Sequence, residues 1–227
     1  MSSAIEQLSK NVSWDTFGKA TELKQRIWFV LGALIVFRLG TFVPIPGIDP
    51  QIWNDIFAAK TGGVLDMFNM FSGGSLKRMS IFALSIMPYI SASIIIQLAS
   101  TIYKPWKELK KEGESGRMKI NQYTRYLTVV LATIQGYGLA VGLEHMQGKM
   151  GTAVVDPGMF FRLTTAATIV GGTMFLVWLG EQITSRGIGN GTSLLIFAGI
   201  VAELPRALGA FFELGRQGQF SVPIMLM

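Results

Sequence analysis

The chain contains no cysteine and a single histidine, and these two shortages exclude several kinds of chemistry. Without cysteine there is no disulfide framework, no cysteine-ligated zinc site and no cysteine nucleophile. The one histidine, His145, follows Glu144 in a predicted loop, where a lone imidazole is ordinarily solvated. The HExxH motif of zinc proteases and the GxxxxGK[ST] loop of nucleotide-binding proteins are also absent. We therefore expect a protein that is not an enzyme, with no catalytic residue, no metal site and no cofactor.

Charged residues are scarce, at 15% of the 227 residues, against about 25% in soluble domains. Half of the residues are hydrophobic, and the mean hydropathy is +0.42. The longest uncharged run is Met79 to Tyr103, which contains one proline and is followed by a lysine cluster. A bilayer core roughly 30 Å thick needs about 20 apolar helical residues to span it. The sequence therefore predicts a membrane protein.

Five apolar segments along the chain predict membrane spans: residues 27–43, 79–102, 126–143, 163–180 and 187–202. They are preceded by an N-terminal segment, 1–26, and separated in part by a loop over 103–125. The last part, 203–227, is predicted to be an outer loop and the start of a sixth span, because its apolar end SVPIMLM begins and simply stops. We expect an all-α, polytopic membrane protein that is a fragment of a longer chain.

The distribution of basic residues predicts which side of the membrane each loop occupies. With the N-terminus in the cytoplasm, twelve lysines and arginines fall in inside segments and six in outside segments. Seven of the twelve lie in the loop 103–125. Because cytoplasmic loops carry the excess of Lys and Arg, this bias favours a cytoplasmic N-terminus. Arg38 lies within the first span, where it either meets a carbonyl or snorkels outward, or else faces an aqueous cavity.

A short segment, residues 64–72, lies between two glycine pairs and precedes the second span. Its nine residues would form about 13 Å of helix, less than half of the bilayer core. The flanking glycines supply flexible joints. Spacing alone favours a short helix resting on the outer membrane surface, since apolar segments of this length are often interfacial or re-entrant.

Five stretches of the sequence resemble the SecY family, the channel subunits of the bacterial protein translocon. They are Gly32–Asp49, Asp66–Gly74, Ser80–Ala99, Lys110–Tyr126 and Trp178–Gly191, which occur in family order. The resemblance covers the N-terminal half of the family's fold, which has ten spans in two inverted halves. It implies that the short segment is a re-entrant plug half-helix, 62–74, rather than an interfacial helix.

The resemblance also implies the roles of individual residues. The plug is Val64, Leu65, Asp66, Met67, Phe68, Asn69, Met70, Phe71 and Ser72, and its hinges are Gly62, Gly63, Gly73 and Gly74. The ring that narrows the pore receives Ile86, Ile90, Thr192 and Ile196, and Gln97 is placed at the lateral gate. Pro88 is expected to bend the second span between the two ring isoleucines. Thr192 departs from the aliphatic pattern, and its hydroxyl could return to the carbonyl of Ile188.

The function implied by the resemblance is that of the central subunit of a protein-conducting channel in the bacterial inner membrane. Such a channel passes unfolded secretory polypeptides across the membrane and releases membrane segments into it. The implied partners are the SecE and SecG subunits, the SecA motor ATPase or a ribosome, signal sequences and nascent polypeptide, and the lipid bilayer. The alternative is a secondary transporter with a broken helix, which would need ionisable groups at mid-membrane.

Overall fold

The computed structural model describes residues 21–59, 64–148 and 151–216, and most of these residues are helical. The helices in these ranges are α1 (Thr21–Gly40), α2 (Pro50–Ala59), α3 (Val64–Phe71), α4 (Met87–Ile102), α5 (Lys104–Lys111), α6 (Glu114–Glu144), α7 (Met159–Arg186) and α8 (Gly191–Arg216). Two strands of two residues each, β1 (Gln147–Gly148) and β2 (Gly151–Thr152), pair antiparallel between α6 and α7. The predicted all-α class is confirmed, with this hairpin as a small addition.

Two of the described helices, α6 and α7, are long and apolar enough to cross a membrane. They pack against each other along a stripe of small residues. At every fourth position of α6 a small side chain is buried: Thr124, Thr128, Ala132, Gly136 and Ala140. A Cβ atom at Gly136 would lie 3.4 Å from the Cα atom of Ala166 in α7. Small residues of this kind let two helix backbones approach closely, as in other membrane bundles.

The helix predicted over 79–102 begins only at Met87, so its first third is not helical. The backbone of residues 79–86 runs in turns, and Met79 and Ser85 have φ angles of 46° and 51°. Pro88 lies in the first turn of α4, where its missing N–H costs nothing. A continued helix before Pro88 would place the proline ring against the carbonyl of residue 84. The prediction that Pro88 bends a continuous span is therefore wrong, because Pro88 begins the helix.

Most side chains of this non-helical segment are buried. Its backbone pairs with the chain that follows α1, since Ile45 donates to the Met79 carbonyl at 2.9 Å and Ile81 donates to the Val43 carbonyl at 2.9 Å. The side chains of Met79 and Phe82 are almost completely buried. Non-helical backbone at membrane depth is tolerated only where protein or water satisfies its polar groups, and here the protein does so.

The other helices extend beyond the predicted apolar spans at one or both ends. Helix α6 begins at Glu114 rather than at residue 126, and α7 covers Met159–Arg186 rather than 163–180. Helix α8 begins at Gly191, four residues later than predicted, and continues through Pro205. The predicted loop 103–125 is thus largely helical. Hydropathy marks only the part of a helix that lies in lipid, whereas the helix itself continues through charged residues outside it.

The helices alternate in direction, so that their ends fall into two groups. At one end, Arg26 near the start of α1 donates to the carbonyl of Gly187 after α7, at 3.4 Å. At the same end, Arg125 of α6 holds Glu181 of α7. At the other end, isolated β-bridges join Pro44 to Ser80 and Ile48 to Val154. The segments after α1, before α4 and between α6 and α7 therefore meet at that second end.

Candidate pore and plug

Helix α3 is the predicted plug, and it ends in a tight cap rather than in a loose joint. Gly73 and Gly74 both have left-handed φ angles, of 65° and 80°. The N–H of Gly74 donates to the Asn69 carbonyl at 2.9 Å, and the N–H of Gly73 donates to the Met70 carbonyl at 3.2 Å. This left-handed turn is a common helix C-cap, and only glycine adopts it without strain. The other predicted hinge, Gly62–Gly63, lies outside the described residues.

Asn69 ties the plug helix to the chain that follows it. The side chain is 7% exposed, and its Oδ1 atom accepts a hydrogen bond from the N–H of Lys77 at 2.8 Å. The hydroxyl of Ser72 donates to the Asn69 carbonyl at 3.0 Å and accepts from the N–H of Leu76 at 3.2 Å. Three plug side chains on other positions, Met67, Phe68 and Met70, are exposed. One side of α3 is thus hydrogen-bonded to the chain that follows it, and another side carries exposed side chains.

Arg38 reaches from α1 to the cap of the plug. Its Nη1 atom donates to the carbonyl oxygen of Gly73 at 2.8 Å. Its guanidinium carbon also lies 5.3 Å from the centre of the Phe42 ring. Of the two alternatives left open by the sequence, the structure therefore shows the one in which Arg38 meets a backbone carbonyl.

The predicted ring residues come from two elements that pack together. Ile86 directly precedes α4 and Ile90 lies in its first turn, and the N–H of Ile90 donates to the Ile86 carbonyl at 3.1 Å. Ile196 lies in α8, and all three isoleucines belong to one hydrophobic cluster. Ile86 is 1% exposed, whereas Ile90 and Ile196 are half-buried.

Thr192 lies in the first turn of α8, beside α7. A Cβ atom at Gly180 would be 3.4 Å from the Thr192 hydroxyl oxygen. Because α8 begins at Gly191, Ile188 precedes the helix, and the predicted bond from Thr192 to the Ile188 carbonyl has no helical register to support it. The membership of Thr192 in the ring stays a prediction.

A cavity of about 470 Å³ lies beside the plug, between the turns before α4 and the helices α4 and α6. Its lining residues are Phe68, Ser72, Leu76, Ala83, Leu84, Met87, Ser91, Gln135 and Leu139. Most of this wall is apolar, with a few hydroxyl and amide groups. The sequence showed Gln135 as one polar group in an apolar span, and the structure places it in this wall next to the plug.

No metal centre is built from the described side chains, since no group of three or more histidine, aspartate or glutamate residues lies close enough to hold an ion. The described parts of the arrangement are hydrophobic: a short capped helix with a cavity at its side, and a separate cluster that contains the three isoleucines.

Comparison with known proteins decides the family. A family profile described as SecY matches residues 80–227. The protein translocase subunit SecY of Escherichia coli (strain K12) is 57% identical over 210 residues, which are 92% of this chain and 47% of that protein. The chain belongs to the SecY family. The SecY of Rickettsia typhi is 58% identical over 202 residues, which cover 89% of this chain and 47% of the relative. The chain spans about half the length of the curated relatives it matches.

Solved structures confirm the SecY fold. One, described as a protein-conducting channel, matches with a TM-score of 0.62 at 18% identity over 86% of this chain and 42% of its own. A Sec61 chain in the canine ribosome–channel complex from the endoplasmic reticulum matches with the same TM-score, identity and coverage. The resemblance predicted from five sequence stretches is therefore confirmed, and the chain is a membrane protein of this fold.

Two features of this SecY-family chain were not predicted from its sequence. Both are ion pairs that join α6 to α7, one at each end. Arg125 holds Glu181 through two hydrogen bonds, of 2.9 and 2.7 Å. At the opposite end, Glu144 accepts from the Arg162 Nε atom at 2.8 Å and from the N–H of Gly158 at 2.9 Å. Pairing of charges from separate helices leaves no signal in local spacing.

The predicted gate residue, Gln97, is exposed on α4 and bonded within its own helix. Its Nε2 atom donates to the Ser93 hydroxyl at 3.1 Å. This contact within α4 does not test whether Gln97 takes part in a gate, so the gate role of Gln97 stays a prediction.

Proposed function

We propose that this chain is the N-terminal half of a protein-conducting channel, in which helix α3 closes the pore at rest. The observation that carries the proposal is a short capped helix whose C-terminal end is held between two longer helices. At eight residues it cannot span a bilayer, yet its end is buried against α1 and α8. The relatives are named protein translocase subunits, which supports a polypeptide as the substrate.

The ring beneath the plug fits a channel that accepts any sequence. Ile86, Ile90 and Ile196 present only aliphatic groups, whose contacts are non-directional and therefore accept any side chain. A narrow apolar neck is also costly for ions to enter. In the complete channel this ring, with Thr192, would limit leakage around a moving chain. Membrane segments would leave sideways through a gate that includes Gln97.

The proposed location is the bacterial inner membrane, with the N-terminus in the cytoplasm. Under this orientation helix α5 and the start of α6, which are both basic, face the cytoplasm, where Lys and Arg are usually enriched. We extend the proposal to the partners SecE, SecG and SecA or a ribosome. One matching structure comes from a ribosome–channel complex, which supports the ribosome as a docking partner. The alternative, a secondary transporter, gains no support from these relatives.

Deleting the plug tests the proposal. In the complete channel, removal of residues 64–72 should raise resting ion conductance in planar bilayers, because the pore is then closed by the isoleucine ring alone. A second variant replaces the same nine residues with a Gly–Ser segment of equal length, which keeps the connection but removes the apolar helix. It should conduct like the deletion. Resting conductance equal to that of the unchanged channel in both variants would contradict the proposal.

Addition of Thr192→Ile to the deletion tests the fourth ring position. If Thr192 faces the pore, the larger apolar side chain should lower the conductance again. Conductance that stays at the level of the deletion would remove Thr192 from the ring.

A further inference from the structure

Arg38 is a charged side chain within a predicted membrane span, and its hydrogen-bond partner is the backbone of another element. The donor–acceptor distance to the Gly73 carbonyl is 2.8 Å, and the two residues are 35 positions apart. Two guanidinium groups lie near the Phe42 ring, with Arg38 at 5.3 Å and Arg78 at 4.3 Å from its centre. The aromatic face therefore helps to hold Arg38 in the direction of the plug.

The position of this bond favours a cationic donor. Gly73 lies two residues after the end of α3, in the cap at the C-terminal end, where the helix leaves carbonyls without helical partners. The helix dipole makes this end partly negative, so that a cation there is favourable. A hydrogen bond from a charged donor is stronger than one between neutral groups, and a surrounding of low dielectric strengthens it further.

Helix α8 meets the same cap from the other side. A Cβ atom at Gly199 would lie 2.9 Å from the carbonyl oxygen of Phe71 and 3.3 Å from the nitrogen of Gly73. Contacts under 3.0 Å are too close for a methyl group, so glycine at 199 is what allows the plug to rest here. The cap is thus held between a side chain of α1 and the bare backbone of α8.

We infer that Arg38 is a positioning residue for the plug, which holds the cap of α3 against Gly199 through the Gly73 carbonyl and so sets how rarely the plug leaves the pore at rest. This inference rests on the proposed function of α3. When the cap moves away, Arg38 loses its acceptor in a poorly solvated place, which is unfavourable. The unpaired guanidinium then favours return of the plug after each passage.

The test measures exposure of a buried position beside the cap in the complete channel. Ser75 is 0% exposed, and its hydroxyl has no hydrogen-bond partner, so Ser75→Cys removes no bond. The 227 residues contain no other cysteine, so that the cysteine at position 75 is a single reporter once any cysteines in the rest of the channel have been replaced by serine. The measured quantity is the rate at which an impermeant maleimide, added to the outer side, labels Cys at this position in the resting channel.

Arg38→Met should raise the labelling rate about tenfold, which corresponds to about 1.4 kcal/mol for the lost charged hydrogen bond. Arg38→Lys should give an intermediate rate, because it keeps the charge without the planar fork of donors. Gly199→Ala should also raise the rate, since its methyl displaces the same cap. The matched control is Gly32→Ala, in the same helix as Arg38, where a Cβ atom would meet nothing within 4 Å. Its rate should be unchanged.

Three results would overturn the inference, two from single variants and one from a double variant. One is an unchanged labelling rate in Arg38→Met while deletion of 64–72 still raises conductance, which would leave the plug in place but deny Arg38 its role. The other is an increase that Gly32→Ala produces equally, which would show a general loosening of α1. The double variant of Arg38→Met and Gly199→Ala gives a third test. A rise in its labelling rate equal to the product of the two single rises would contradict a shared cap, because the free-energy effects of two changes at one contact are not additive. If deletion of residues 64–72 leaves conductance unchanged, the proposed function of α3 is contradicted. The labelling rates then still report whether Arg38 holds the cap of α3.

Discussion

Glu144 and Arg162 join the end of α6 to the start of α7 through three contacts on one carboxylate. One carboxylate oxygen, Oε1, accepts from the N–H of Gly158, the residue that precedes α7. The other, Oε2, accepts from Arg162, with the closest nitrogen at 2.6 Å. The Glu144 side chain is 5% exposed and that of Arg162 32%. A negative group at the start of α7 is also favoured by the helix dipole. Both helix ends therefore depend on one side chain.

Glu144→Gln should lower the midpoint temperature of thermal unfolding by several degrees. The amide has one acceptor oxygen in place of two, so that either Gly158 or Arg162 loses its partner, and a half-buried arginine without a partner is unfavourable. The measurement is thermal unfolding of the complete protein in detergent.

The matched control for this prediction is Glu112→Gln. Glu112 pairs with Lys119 at 3.7 Å, and both side chains are about half exposed. Exposed pairs of this kind contribute little to stability, so the control should unfold within a degree or so of the unchanged protein. An equal loss in both variants would mean that the Glu144 contacts do not secure the helix ends.

Arg38 shows where prediction from sequence ends at the level of single residues. Composition and position show that a charge lies in a span and that it needs a partner. They do not show which partner, because the Gly73 carbonyl comes from a turn 35 residues away whose position depends on the whole bundle. The same limit applies to Glu144 and Arg162, whose pairing follows from the packing of two helices.

At the level of elements, the non-helical segment 79–86 depends on two glycines that make room for it. Phe82 lies between α1 and α7, with its ring stacked against those of Phe37 and Phe175 at centre distances of 6.1 and 6.0 Å. A Cβ atom at Gly40 would collide with the Phe82 ring, and one at Gly172 would collide with the carbonyl of Ile81. Both helices therefore approach the segment with bare backbone.

Gly172→Ala should destabilise the protein by about 1–3 kcal/mol, the usual cost of overpacking a core, because backbone rather than a flexible side chain must shift. The adjacent residue offers a control within the same helix. A Cβ atom at Gly171 would meet nothing within 4 Å, so Gly171→Ala should be neutral or stabilising by about 0.5–1 kcal/mol, as expected for glycine to alanine in a helix. Denaturation in detergent measures both. Equal behaviour of the two variants would mean that segment 79–86 is not packed against α7.

Hydropathy predicts that residues 79–102 lie in the membrane, but it cannot predict that the first eight are not helical. The run contains no charged residue. Its helical part, 87–102, differs from its irregular part, 79–86, in packing rather than in composition. Pro88 is the local signal of a change in the helix, and from sequence it predicts a bend within the span. The partners that make the irregular backbone acceptable, from the chain after α1 and from α7, are distant in sequence.

For the whole molecule, the family could be predicted from sequence, because the five motif stretches are local features. The sorting of helix ends adds an argument that sequence alone lacks. The contacts of Arg26 with Gly187 and of Arg125 with Glu181 place the start of α1, the start of α6 and the end of α7 at one end. Basic helix α5 joins this group, since it lies between α4 and α6. The charge bias and the packing therefore agree on which loops share a side.

Cysteine labelling in intact cells tests which side that is. Ser115 lies in the first turn of α6, at the basic end, and is exposed, while Val155 lies in the connection between α6 and α7 and is 66% exposed. Because basic loops stay in the cytoplasm, an impermeant thiol reagent added outside should label Val155→Cys and leave Ser115→Cys unlabelled. After permeabilisation of the membrane both should react, which controls for the accessibility of each position. Labelling of Ser115→Cys alone in intact cells would reverse the orientation.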